Sequence, residues 1–123
     1  MSNKYKTDVN IELVEREIVS GQEIHGTINI NYAGRFDSIV INSQIENSND
    51  IFNYTSIYGK KINHQYARLS IFKGDLPDKN KLEFTAVTSH KPRNEHTNAK
   101  FRVAVIQEHK EVVSASAYVK ILG

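Results

Sequence analysis

The feature that most constrains this chain is a two-residue rhythm: short runs of Ile, Val, Phe and Tyr alternate with polar residues and are broken by Gly, Asn, Asp and Pro. Alternation of that period places apolar side chains on one face of an extended strand. Each run can hide that face only by stacking on a second layer. Val9, Ile11 and Leu13 alternate with Asn10 and Glu12, Ser20-Gly21-Gln22 turns the chain, and Ile24, Gly26, Ile28 and Ile30 alternate with His25, Thr27 and Asn29. Ile39, Ile41, Ser43 and Ile45 line one face of a third strand, and Asn47-Ser48-Asn49-Asp50 is a turn cluster. Ile51 to Tyr58 reads as a weaker strand ended by Gly59-Lys60-Lys61. Ile62, His64 and Tyr66 are out of phase with Ala67, Leu69 and Ile71, a parity change that requires a bulge or a crossing between sheets.

Gly74-Asp75-Leu76-Pro77-Asp78 is a firm break. Leu82, Phe84, Ala86 and Thr88 then alternate cleanly, followed by the longest polar connection, His90 to Asn98. Phe101, Val103 and Val105 form one apolar face, and His109-Lys110-Glu111 turns into Val113, Ala115, Ala117, Val119 and Ile121. No segment carries a helical stripe. The pattern predicts an all-β fold, an immunoglobulin-like antiparallel β-sandwich of about eight strands. Residues 1–7 are expected to form a flexible N-terminus and residues 8–123 a single sandwich domain, a size that can bury a continuous core.

The chain has no Cys, which removes disulfides, thiolate zinc sites and cysteine nucleophiles, and fits a reducing, cytoplasmic setting. Met1 to Lys6 is polar and carries no apolar core of a secretory signal. No window approaches the ~20 apolar residues of a membrane-spanning helix. The formal charge of +2, from 16 basic and 14 acidic side chains, is too balanced to argue for nucleic acid.

No catalytic constellation is visible. There is no Gly-x-Ser-x-Gly elbow, and none of the five histidines forms an i, i+4 pair, so the expectation is a non-enzyme without cofactor or metal. His25 and His64 alternate with apolar neighbours and should face outward. His90 and His96 share a loop with Glu95, a weak offer to a divalent ion. Cations gather at the Lys60-Lys61 turn and around the polar loop, where Lys91 and Arg93 precede Lys100 and Arg102. Phe101 belongs to the core by its phase, so the basic run lacks the exposed aromatics of a nucleic-acid surface. The candidate contact residues are therefore Lys60, Lys61, His90, Lys91, Arg93 and His96, with a phosphate or an acidic peptide as the matching chemistry. An alternative is a ligand-binding module for carbohydrate or a divalent ion, with Tyr54, Tyr58 and Tyr66 lining one sheet face.

The run Val19-Ser20-Gly21-Gln22-Glu23-Ile24-His25-Gly26-Thr27-Ile28-Asn29-Ile30 resembles the early hairpin of the arrestin and retromer Vps26 clan. Phe72-Lys73-Gly74-Asp75-Leu76-Pro77 is similar to that clan's aromatic-then-Leu-Pro lead-in to a later strand, and Phe101 to Ile106 with Val112 to Ile121 would be its closing hairpin. The chain departs from the clan in having one domain instead of two and no amphipathic helix in its first half, so no functional residue is carried over. Gly21 and Gly26 match as structural positions, the first serving the turn and the second a bulge or close approach of the other sheet. The resemblance implies a non-catalytic adaptor that recruits protein partners, often through an edge strand. The same open edges predict self-pairing into a homo-oligomer.

Overall fold

The computed structural model describes residues 8–77 and 80–123. The expected flexible segment 1–7, and Asp78 at the end of the proline break, lie outside these residues. The strands are β1 (Val9–Leu13), β2 (Glu17–Val19), β3 (Ile24–Ile30), β4 (Ser38–Ile45), β5 (Asn53–Ile57), β6 (Lys60–His64), β7 (Arg68–Phe72), β8 (Lys81–Val87), β9 (His96–Gln107) and β10 (Lys110–Leu122). One sheet has the order β1-β3-β8-β5-β6 and the other β2-β10-β9-β4-β7. Every pairing is antiparallel except that of β2 with β10. The molecule is an all-β, immunoglobulin-like two-sheet sandwich. Among the described residues no helix is long and apolar enough to cross a membrane.

The core is built by the phase of the alternation. Ile24, Ile28, Leu82 and Ala86 face inward from the first sheet, and Ile39, Ile41, Phe101, Val103, Val105 and Ile121 face them from the second, each fully buried. Their partners in the rhythm, such as Glu83, Asn42 and Lys120, are exposed. A strand whose every second side chain is removed from water gains roughly 1.5–3 kcal/mol for each large aliphatic group, which pins the register because a one-residue slip would reverse the faces.

Ten strands are present among the described residues where about eight were expected, for two reasons. The parity change between Tyr66 and Ala67 is a crossing between sheets: β6 is the last strand of the first sheet and β7 the last of the second. The additional strand is β2. Between β1 and β3 the chain leaves the first sheet, pairs three residues of β2 with Lys120–Leu122 of β10, and buries Ile18 before returning. Gly21, at φ +88°, makes the return turn, closed by Gln22 N–H donating to Val19 O at 3.0 Å.

Two turns sit one or two residues earlier than the sequence reading placed them. Tyr58 and Gly59 occupy the β5–β6 turn with φ of 54° and 77°, and Glu108 and His109 the β9–β10 turn with 50° and 65°. Positive φ at both central residues gives the tight hairpin that suits twisted strands. Lys60, Lys61, Lys110 and Glu111 are consequently strand residues. His64 does not simply face water either: its ring lies 5.9 Å from that of Tyr54, and its Nε2 is 2.6 Å from the Arg68 carbonyl oxygen, closing the corner between β6 and β7.

Candidate functional site

One end of the sandwich is formed by the β4–β5 connection, residues 46–52, and the β8–β9 connection, residues 88–95. Each is folded by its own short-range hydrogen bonds. Ser48 N–H donates to Ile45 O at 3.2 Å, Asp50 N–H donates to Ser48 Oγ at 2.9 Å, and Asn47 takes φ 54°, so the first connection curls tightly. The second is anchored to it by Thr88, which is buried. Thr88 donates its hydroxyl to Ile51 O at 2.8 Å and accepts from His90 N–H at 3.1 Å.

Between the two connections lies a cavity of about 570 Å³ lined on one wall by Glu46, Ser48 and Asp50 and on the other by His90, Lys91, Arg93 and His96. Four of the six expected contact residues therefore meet in one place. His96 enters it as the first residue of β9, because the strand starts two residues before the expected end of the polar loop. Lys60 and Lys61 do not join them. They begin β6, beyond the turn at the far end of β5, where two lysines on an edge strand deter pairing with a foreign strand.

His90 ties the walls together. Its side chain is 11% exposed, with Nδ1 2.7 Å from Asp50 Oδ2 and Nε2 3.1 Å from Thr97 Oγ1. A carboxylate only accepts, so Nδ1 carries a proton and donates to Asp50, while Nε2 and the Thr97 hydroxyl are within hydrogen-bond distance of each other. That bond from His90 holds the Asp50 carboxyl below the usual carboxylate range. A carboxyl lowered in the folded state adds stability above its unfolded pKa and loses it as the pH falls through the folded value. Asp50→Asn is thus expected to melt lower than the parent at pH 7 and to converge with it on acidification below about pH 4, the ordinary carboxylate range. Thermal melts at stepped pH check this, and a gap that persists unchanged to pH 3 would show that the pair contributes nothing.

The other acidic wall residue is engaged as well: Glu46 accepts from Asn98 Nδ2 at 3.4 Å and donates its own N–H to Asn98 O at 3.0 Å. Lys91, Arg93 and His96 form no hydrogen bond or ion pair among the described residues. The site thus presents three uncommitted nitrogen-bearing side chains beside two carboxylates that already have partners. Lys100 and Arg102 project from the outer face of β9, and Arg102 is taken up in a bidentate pair with Glu111, with one arm Nη1 to Oε1 at 2.8 Å.

The aromatic face of the alternative reading is not formed. Tyr54 is fully buried, with its hydroxyl donating to Ala67 O at 3.0 Å and its phenol raised far above the usual range by burial, while Tyr58 sits in a hairpin turn and Tyr66 is exposed at the sheet crossing. Among the described residues no three His, Asp or Glu side chains converge as a metal cluster would, and Glu95 stays out of the cavity that His90 and His96 line. The His90–Asp50 bond spans 40 residues of sequence, and nothing in either segment alone announces it.

No family model and no curated protein matches the chain. Solved structures do match its fold. A conjugative transposon lipoprotein from Bacteroides eggerthii aligns over 94% of this chain and 98% of its own with 10% identity and a TM-score of 0.53. The human F-spondin reeler domain aligns over 94% and 92% with 9% identity and a TM-score of 0.56. The enterotoxigenic E. coli adhesin CfaE aligns over 93% of this chain and 48% of its own with 9% identity and a TM-score of 0.57. At such identities the likeness is one of fold alone. These neighbours belong to families other than arrestin and Vps26.

Proposed function

We propose that this chain is a non-catalytic binding module that recruits a protein partner by an acidic segment seated between the two connections at the cavity end. The observation that carries the reading is the asymmetry of commitment there: Asp50 and Glu46 are hydrogen-bonded within the fold, whereas Lys91, Arg93 and His96 are not. Carboxylates arriving on a partner would meet cations without displacing an internal ion pair, and charge-assisted bonds of this kind are worth about twice neutral ones. Ser48 Oγ lies 3.5 Å from His90 Nδ1, but that nitrogen is engaged by Asp50 at 2.7 Å and Nε2 meets Thr97, so among the described residues no free ring nitrogen of His90 is left to activate the hydroxyl. An adaptor role of the arrestin kind agrees with this reading.

The test is binding of a fluorescent deca-glutamate peptide followed by anisotropy at low ionic strength, comparing the parent with the Lys91→Glu/Arg93→Glu double variant. The expected result is affinity for the parent that weakens at least tenfold in the variant and falls with added salt. No binding by the parent, or equal binding by both, rules the site out. Inorganic phosphate competing at micromolar concentration would identify a small oxyanion as the ligand and overturn the assignment to a protein segment.

A further inference from the structure

The long strand β10 is paired along its whole length with β9 but only at Lys120–Leu122 with β2. The direction of its remaining backbone groups follows from two bonds. Lys120 N–H donates to Arg16 O at 2.9 Å, on the β2 side, and Gly123 N–H donates to Glu95 O at 2.8 Å, on the β9 side. Backbone direction alternates along a strand, so Ser114, Ser116 and Tyr118 turn N–H and C=O away from β9. Among the described residues no strand pairs with them, and all three side chains are exposed. A groove of about 420 Å³, lined by Ile11, Glu12, Leu13, Arg16, Ala117 and Tyr118, runs between this edge and β1.

The other edges carry features that discourage pairing. β6 opens on Lys60-Lys61, β7 carries Arg68 with its carbonyl oxygen taken by His64, β1 carries Glu12, and β2 is three residues long. From Val112 to Val119, in contrast, β10 has no charged residue and no proline.

We infer that this edge is a self-pairing surface, and that its occupant is β10 of a second copy of the chain, antiparallel about a two-fold axis at Ser116. Ser116 then opposes its own counterpart, and Ser114 opposes Tyr118 of the second copy, so a small side chain meets a large one and no like charges confront each other. About six backbone hydrogen bonds form across three pairs of residues. The second copy's strand must leave the sheet before it reaches β2, and the ladder irregularity between Glu111 and Val113 lies where it would bend away. The seam is separate from the acidic-segment site, so either can fail without the other.

The experiment is light scattering on the eluting protein from 5 to 500 μM. The parent is expected to pass from monomer to dimer across this range, and Ser116→Lys, which faces two ammonium groups across the axis, is expected to remain monomeric throughout, with a melting temperature equal to the parent's at 5 μM, where both are monomers. Ser116→Cys supplies the register. With oxidised glutathione accepting the two electrons, two thiols facing each other become one disulfide, and the dimer yield should exceed that of Ser70→Cys on the β7 edge at least fivefold. A parent that stays monomeric at 500 μM overturns the inference and leaves the edge to an extended segment of another protein. A dimer unaffected by Ser116→Lys, or equal cross-linking of the two cysteine variants, also overturns it.

Discussion

Phe101→Ala is expected to lower the unfolding free energy by about 3–5 kcal/mol. Phe101 is fully buried on β9, and its ring centroid lies 4.7 Å from that of Phe52, 5.6 Å from Phe84 and 6.4 Å from Tyr54. Three rings thus surround it, anchored on β5, on β8 and on the connection before β5. Aromatic rings are stiff, so removing the fourth leaves a void that the other three cannot close by small rotamer shifts, and the transfer and cavity terms add. A domain of this size is stable by only about 5–15 kcal/mol, so the variant should unfold at a much lower urea concentration with the slope of the transition unchanged. A loss below about 1 kcal/mol would mean that the ring cluster is loosely packed. The same geometry places the Phe101 ring inside the core while the neighbouring Arg102 is committed to Glu111 at the surface.

That inward placement was legible because β9 alternates over many residues with one face fully buried, and the same holds for β3, β4 and β8. Ile62 to Ile71 was legible in a different way, since a change of phase in an otherwise apolar rhythm has few structural solutions and a passage between layers is one of them. What sequence could not show has identifiable causes. β2 buries a single residue, Ile18, flanked by Glu17 and the half-exposed Val19, and three residues are too few to establish a period. Tyr58, Glu108 and His109 take positive φ, for which side-chain type gives little warning. The polar loop was recognisable as a surface, but its partner wall around Asp50 is remote in sequence, and Lys60-Lys61 was joined to it by charge alone. Charge carries no directional information, whereas alternation does; the fold was therefore easier to read than the site.

Gly26 is the position where a minimal substitution should do the most harm, and for a reason different from the one its sequence context suggests. An ideal Cβ built there would lie 2.3 Å from Cζ and 2.4 Å from Cε1 of Phe84. The residue does not make room for the opposite sheet; it makes room for a ring of its own sheet, since Gly26 and Phe84 are register partners on β3 and β8. The ring lies across the glycine backbone and fills the inward space that Ile24 and Ile28 fill with their own side chains. It has little freedom to withdraw, because the Tyr54 ring meets it edge-on at 6.0 Å and Phe101 lies beyond. Ordinarily an alanine would help a strand by restricting the unfolded chain, by about 0.4–1 kcal/mol. Here overpacking should reverse the sign, with Gly26→Ala losing about 3 kcal/mol in urea unfolding. Phe84→Leu in the same molecule should recover part of that loss, a coupling of about 1–2 kcal/mol between residues in direct contact. Phe101→Ala should also soften the effect of Gly26→Ala, because it opens the space into which the displaced Phe84 ring can move. If Gly26→Ala is instead neutral or stabilising on its own, the ring is free to slide, and the aromatic cluster cannot be the rigid centre of the core that the first prediction requires.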